Sequence, residues 1–218
     1  SVTSEGGDIL FVGTKKNAKN IVQEEADKCS MYYVVERWLG GTLTNYSTIR
    51  KSIKRLMLLE KESSPLYDNA TKKEILSLER EMIRLQDLHR GIKDMKGLPD
   101  AIFVVDTYQE SIAVDEAKLL NIPVVAIVDT NSNPNLIDYP IPANDDSIRA
   151  VKLIVSEISK AICESKSIAY PEGKVSLEEA VPEEEDLSNE TEMGDESEIA
   201  GSDGKQIEEL VVDSSKED

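Results

Sequence analysis

The residues of this chain that could do chemistry are mainly cations and carboxylates, and their spacing suits phosphate contact better than catalysis. Arg50, Lys51, Lys54 and Arg55 place four cations within six residues. Arg50 and Lys54 are four apart, as are Lys51 and Arg55, so each pair shares a helix face. A solvated face is the ordinary reading of such a run, but few acids offset it, which suits a phosphate backbone. Gly13-Thr14-Lys15-Lys16 follows an apolar run and precedes a helical pattern, where a helix N-terminus attracts anions. It lacks the spaced glycines and the Gly-Lys-Ser/Thr of a nucleotide loop. Lys15 and Lys16 are therefore expected in a basic turn that touches RNA phosphate. The stretch Arg37-Trp38-Leu39-Gly40-Gly41-Thr42-Leu43-Thr44-Asn45 carries the only Trp. Either the Trp packs beside a glycine turn, or Gly40 and Gly41 let the backbone approach a phosphate closely, with Arg37 supplying charge.

Catalytic constellations are missing from this inventory. His89 is the only histidine and has no cysteine or second histidine near it in sequence, so it reads as structural or surface-exposed. No Ser-His-Asp set or carboxylate pair falls on a catalytic scaffold, and the chain is not expected to be an enzyme or to take a small-molecule substrate. Cys29 and Cys163 have neither metal nor disulfide spacing and read as inert thiols in a reducing compartment. No apolar run approaches the roughly 18 residues of a membrane span, and no signal-peptide pattern is seen. No membrane partner is expected. The chain opens on Ser1 rather than Met.

The net charge of −18 would by itself argue against a nucleic-acid partner. It is unevenly spread. Pro171 to Asp218 holds 18 Asp and Glu against 3 Lys, a net of −15, leaving 25 acids and 22 bases before it, a net of only −3. The tail from Ala169 is Pro-, Glu- and Ser-rich and too poor in apolar residues to offset its ordering entropy, so residues 169–218 are expected to be disordered.

The elements that must carry the candidate residues are legible from periodicity. Apolar runs at Ile9–Gly13, Tyr32–Val35, Ala101–Asp106 and Val124–Asp129 predict buried strands, with a short fifth at Tyr139–Ile141. Helical patterns lie between them at Asn17–Lys28 and Ile112–Leu120, and Ser147–Glu164 closes the series. Apolar strands alternating with helices predict an α/β fold: a flavodoxin-like parallel sheet flanked by helices. Asp106 and Asp129 would then sit at the sheet's carboxyl edge, where ligands usually bind. A phosphoacceptor receiver on such a sheet would need an acidic pair after its first strand, and Gly13-Thr14-Lys15 stands there instead. Two helices, Thr48–Lys61 and Thr71–Lys93, break the alternation. Ile75, Leu78, Met82 and Leu85 form a heptad seam against Ile49, Ile53, Leu56 and Leu59. The short linker predicts antiparallel neighbours, hence a helical hairpin over 47–95 protruding from a body of 1–46 and 96–168. A pure protein-interaction module using that hairpin is the third reading of the chain.

Several segments, in order, resemble one family. They are Ile9 to Lys16 (ILFVGTKK), Arg37 to Asn45 (RWLGGTLTN), Ser52 to Leu56, Thr71 to Glu74, Gly91 to Met95, Leu98 to Ala101, Ile127 to Ser132 (IVDTNS) and Ile141 to Arg149 (IPANDDSIR). From about Glu5 to Ala161 the chain resembles the bacterial and organellar small-subunit ribosomal protein of the S-two family. The resemblance implies an α/β body with a helical hairpin, on the ribosome in the cytoplasm or in an organelle. It implies binding to small-subunit ribosomal RNA and to other small-subunit proteins, including help in anchoring the S-one protein. No cofactor is required, but some members hold a divalent ion, zinc or magnesium, and the matching carboxylates here are Asp129 and Asp145. The family's basic, His-containing segment ahead of this region has no counterpart before Glu5, and the acidic tail is longer than is usual.

Overall fold

The computed structural model describes residues 2–61, 67 and 70–171. Five strands, β1 (Ile9–Val12), β2 (Tyr32–Val34), β3 (Ala101–Val104), β4 (Val124–Val128) and β5 (Tyr139–Pro142), form one sheet in the order β2-β1-β3-β4-β5. Every pairing is parallel. This is the flavodoxin-like strand order, and the expected α/β class is observed. Central strands of such a sheet are covered on both faces, which is why β3 is apolar at every position and wholly buried. The prolines of β5 are tolerated because it is an edge strand.

Alternation of side chains divides the core in two. Leu10, Val12, Ile102, Val104, Val124 and Ala126 face one way. They pack under Ala113, Val114 and Ala117 of α4 (Ser111–Leu119), under Trp38 and Leu43, and under Ile49 and Ile53 of α2 (Tyr46–Leu59). Phe11, Phe103 and Ile127 face the other way, under α1 (Lys19–Lys28) and α5 (Ile148–Lys166). Phe11 and Phe103 are register partners, with ring centroids 5.5 Å apart and planes tilted by 59°. None of the described helices is long and apolar enough to cross a membrane.

Helix α3 (Lys72–His89) starts at a capping box. The Thr71 hydroxyl accepts from the Glu74 amide, and the Glu74 carboxylate accepts from the Thr71 amide at 2.7 Å, satisfying two amides that helix geometry leaves orphaned. Helices α2 and α3 meet through Leu56, Leu59 and Leu85, with Leu78 and Met82 half-buried beside them. Ser52 Oγ lies 2.8 Å from His89 Nε2. This contact is shorter than the heptad pattern predicts. Ile53 belongs to the sheet-side core, and Ile75 is only half-buried. Much of the linker lies outside the described residues.

Gly91 follows α3 at a point of very close approach. A Cβ there would stand 2.2 Å from the Tyr33 carbonyl oxygen and 2.5 Å from its ring, so only glycine fits. Composition assigns Tyr170 to the acidic tail, yet its hydroxyl donates to Glu25 Oε2 at 2.7 Å. Its ring packs on the α1–α5 side of the core, flanked by Lys28 and Lys160. The buried Glu25 carboxylate requires donors, and Lys28 and Tyr170 provide them. The tail beyond residue 171 lies outside the described residues.

Candidate nucleic-acid interface and carboxyl-edge cluster

The carboxyl edge of the sheet brings together four acids from three loops. Asp106 follows β3, Asp129 follows β4, and Asp145 and Asp146 precede α5. Lys15, expected to touch RNA, is inserted among them. Its Nζ stands 2.6 Å from Asp146 Oδ1, 2.9 Å from Asp145 Oδ1 and 3.3 Å from Asp106 Oδ2. Burial works against the charge on Lys15, but hydrogen bonds to Asp146, Asp145 and Asp106 outweigh it and hold the ammonium above its ordinary range. Beside it Glu110 is buried and accepts from Thr14 Oγ1 and, at 3.2 Å, from Thr14 N. Burial pushes the Glu110 carboxyl above its usual range.

The divalent ion that the resemblance implies can be tested against this geometry. Asp129 and Asp145 are neighbours: Asp129 Oδ2 accepts from the Asp145 amide at 3.3 Å, and Asp129 Oδ1 from the Thr130 amide at 2.6 Å. These two amides, that of Thr130 first, hold the Asp129 carboxyl below its usual range. Asp145 Oδ2 is buried without a hydrogen bond, which is one free acceptor and not a ligand set. Among the described residues no group of three or more His, Cys, Asp and Glu is placed to hold a metal ion. With the Lys15 ammonium already in place, this donor set fits a monovalent side-chain cation and does not fit a divalent ion.

The Trp38 loop has a different organiser, one that sequence reasoning missed. Glu116, buried in α4, accepts from Trp38 Nε1 at 3.2 Å and Gly41 N at 2.7 Å through Oε1. Its Oε2 accepts from Leu43 N at 2.9 Å and from Thr44 N and Oγ1 at 3.0 Å. Burial by itself would raise the Glu116 carboxyl, but the Thr44, Gly41 and Leu43 amides and the Trp38 indole hold it below its usual range. Gly41 adopts φ 90°, a left-handed conformation that favours glycine. Its amide is spent on Glu116, so the packed-Trp reading describes this loop. Gly40 is exposed with open space around it, and Arg37 is exposed beside the loop. The available signal was an acid at the centre of an otherwise apolar helix face, between Ala113 and Ala117.

The basic run on α2 is divided by the fold. Arg55 turns to α3 and grips Glu81 with two hydrogen bonds, Nε to Oε1 at 3.1 Å and Nη2 to Oε2 at 3.0 Å. Arg50, Lys51 and Lys54 are exposed and make no ion pair among the described residues, and the same holds for Lys16 and Arg37. Arg50 and Lys54 line a cleft with Lys93 and Lys96, which follow α3; the spacing of these two lysines in the chain marks neither as a partner of the α2 run. His89 is buried rather than surface-exposed. Burial lowers its pKa from the ordinary 6.5.

Fold and site together define a doubly wound α/β domain in which Lys15 is paired with the carboxyl-edge acids and Arg50, Lys51 and Lys54 stand exposed and unpaired on α2. The family model of ribosomal protein S2 matches residues 1–165. The chain belongs to that family of structural, non-enzymatic proteins of the small ribosomal subunit, which work in translation.

Proposed function

We propose that this chain binds small-subunit ribosomal RNA as a structural component of the particle, without catalysis of its own, at cytoplasmic or organellar ribosomes. The observation that carries the reading is the set of exposed, unpaired cations Lys16, Arg37, Arg50, Lys51 and Lys54 on a body whose net charge, these included, is only −3. Affinity for a polyanion then comes from local charge, and each neutralised phosphate releases a counterion. Lys15 and Arg55 serve internal pairs and contribute to the interface by holding its elements. Helices α2 and α3 act as an antiparallel hairpin. Supporting this, contact partners on α3 fall in number, His89 then Glu81, as those on α2 rise, Ser52 then Arg55. The hairpin and body also meet neighbouring small-subunit proteins, the S-one protein among them.

The test is co-sedimentation of the full chain with small subunits, together with binding to their isolated RNA across a salt series. Affinity should fall steeply as salt rises. A chain that stays at the top of the gradient and binds RNA with no salt dependence would overturn this reading.

A further inference from the structure

We propose that Arg50, Lys54, Lys93 and Lys96 form one preorganised cleft for the phosphates of the RNA backbone; the proposal rests on the RNA reading above and locates its contact. Two cations come from α2 and two from the turn after α3, segments some forty positions apart in sequence. They surround a cavity of about 260 Å³, below the roughly 300 Å³ at which pockets for drug-sized ligands begin. Four cations face one lining carboxylate, that of Asp94. Glu60 pairs with Lys93 from the rim, while Arg50, Lys54 and Lys96 make no ion pair among the described residues.

The cations are mounted on a fixed frame. Ile53 and Met95 form a buried floor. Tyr46 Oη donates to the Met95 carbonyl at 2.6 Å, and Tyr32 Oη to that of Asp94 at 3.4 Å. Like charges lining one cleft repel one another, and an anion entering it relieves that repulsion. No aromatic ring lines the cleft, so a base has nothing to stack on and the ligand is the backbone. Its apolar residues lie mostly in the floor, which leaves little of the apolar contact area that protein hot spots use. The helix periodicity explains why only half of the basic run takes part: Arg50 and Lys54 point to the cleft, and Arg55 points to Glu81.

The test compares two double variants of the full chain, Lys54→Glu/Lys96→Glu in the cleft and Lys72→Glu/Lys152→Glu outside it, each changing net charge equally. All four positions are exposed, and unchanged Trp38 fluorescence verifies the fold. Binding to isolated small-subunit RNA is measured across a salt series, with inorganic phosphate and polyglutamate as competitors. The cleft variant should lose affinity at least about tenfold, with the salt slope reduced by about two. The outside variant should keep the wild-type slope, and neither competitor should displace RNA at equal charge concentration. Equal losses in both variants, or an unaffected cleft variant, would overturn the cleft while wild-type binding leaves the RNA reading standing. Displacement by phosphate would assign the cleft to a free anion, and displacement by polyglutamate to an acidic protein, either of which overturns it. A wild-type chain that fails to bind RNA sinks the RNA reading itself.

Discussion

Glu116 accepts a hydrogen bond from the Trp38 indole at 3.2 Å, tying α4 to a loop 78 positions earlier in the chain. Three backbone amides and one hydroxyl of the same loop donate to the same carboxylate. A single acid thus replaces the backbone partners that the Gly40–Thr44 turn lacks.

Glu116→Ala should therefore be among the most damaging substitutions in the body. It strands buried donors whose hydrogen bonds to a charged acceptor are worth roughly 1.5–3 kcal/mol each before relaxation. We expect a net loss of about 3–5 kcal/mol, read as the shift of the urea midpoint followed by Trp38 fluorescence. A midpoint within experimental scatter of wild type would mean that the loop is organised by its own turn.

Lys15→Met should also destabilise, because it leaves the buried Asp106 and Asp145 carboxylates facing each other without a cation. Removing one partner of a buried ion pair costs about 3–5 kcal/mol, less here because Lys15 and Asp146 are partly solvated. The same urea titration measures it. If added zinc or magnesium restored the midpoint of this variant, the carboxylates would be competent metal ligands once the ammonium is gone.

Acid should weaken the fold in two stages. His89 has a folded-state pKa below 6.5, so the unfolded chain takes up its proton first. Its contribution is full above about pH 6.5 and is lost as pH falls through the folded value. Glu116 is held below 4.5, so its contribution is full above that value and is lost on further acidification. Urea midpoints should decline first below about pH 6.5 and again below about pH 4.5. His89→Gln should abolish the first decline alone. A midpoint independent of pH between 7 and 4, roughly the span of the two ordinary pKa values, would refute both assignments.

Leu56→Ala should cost about 2–5 kcal/mol, since Leu56 is fully buried between α2 and α3. Met82→Asp should cost less, because Met82 is only half-buried and the new charge can reach water. Amide hydrogen exchange across α3 reads both. Equal loss of protection in the two variants would show that the contact extends further toward the start of α3.

Removal of residues 172–218 should raise RNA affinity or leave it unchanged. That segment holds 18 acids against 3 Lys, a net of −15 out of the chain's −18, and an anionic segment of this kind would compete with phosphate for cations. Filter binding of full and shortened chains at low salt decides it. Weaker binding by the shortened chain would show an attractive contact made by the tail.

The apolar runs Ile9–Val12, Ala101–Val104 and Val124–Val128, and the helical patterns between them, were enough to determine strands, helices and the parallel class, because burial on both faces leaves a strictly local imprint. The capping residues Thr71 and Glu74 likewise act within one helical turn. The order of the family segments carried the membership. Charge pairing was not legible, because it depends on distances that sequence does not contain. Only the fold set Lys15 among Asp106, Asp145 and Asp146, turned Arg55 to Glu81, and brought Lys93 and Lys96 beside Arg50 and Lys54. A cation's type is written in the chain. Whether it is free for a phosphate is settled by which carboxylates the sheet's loops and the neighbouring helix bring within about 4 Å of it, where the Coulomb interaction becomes strong.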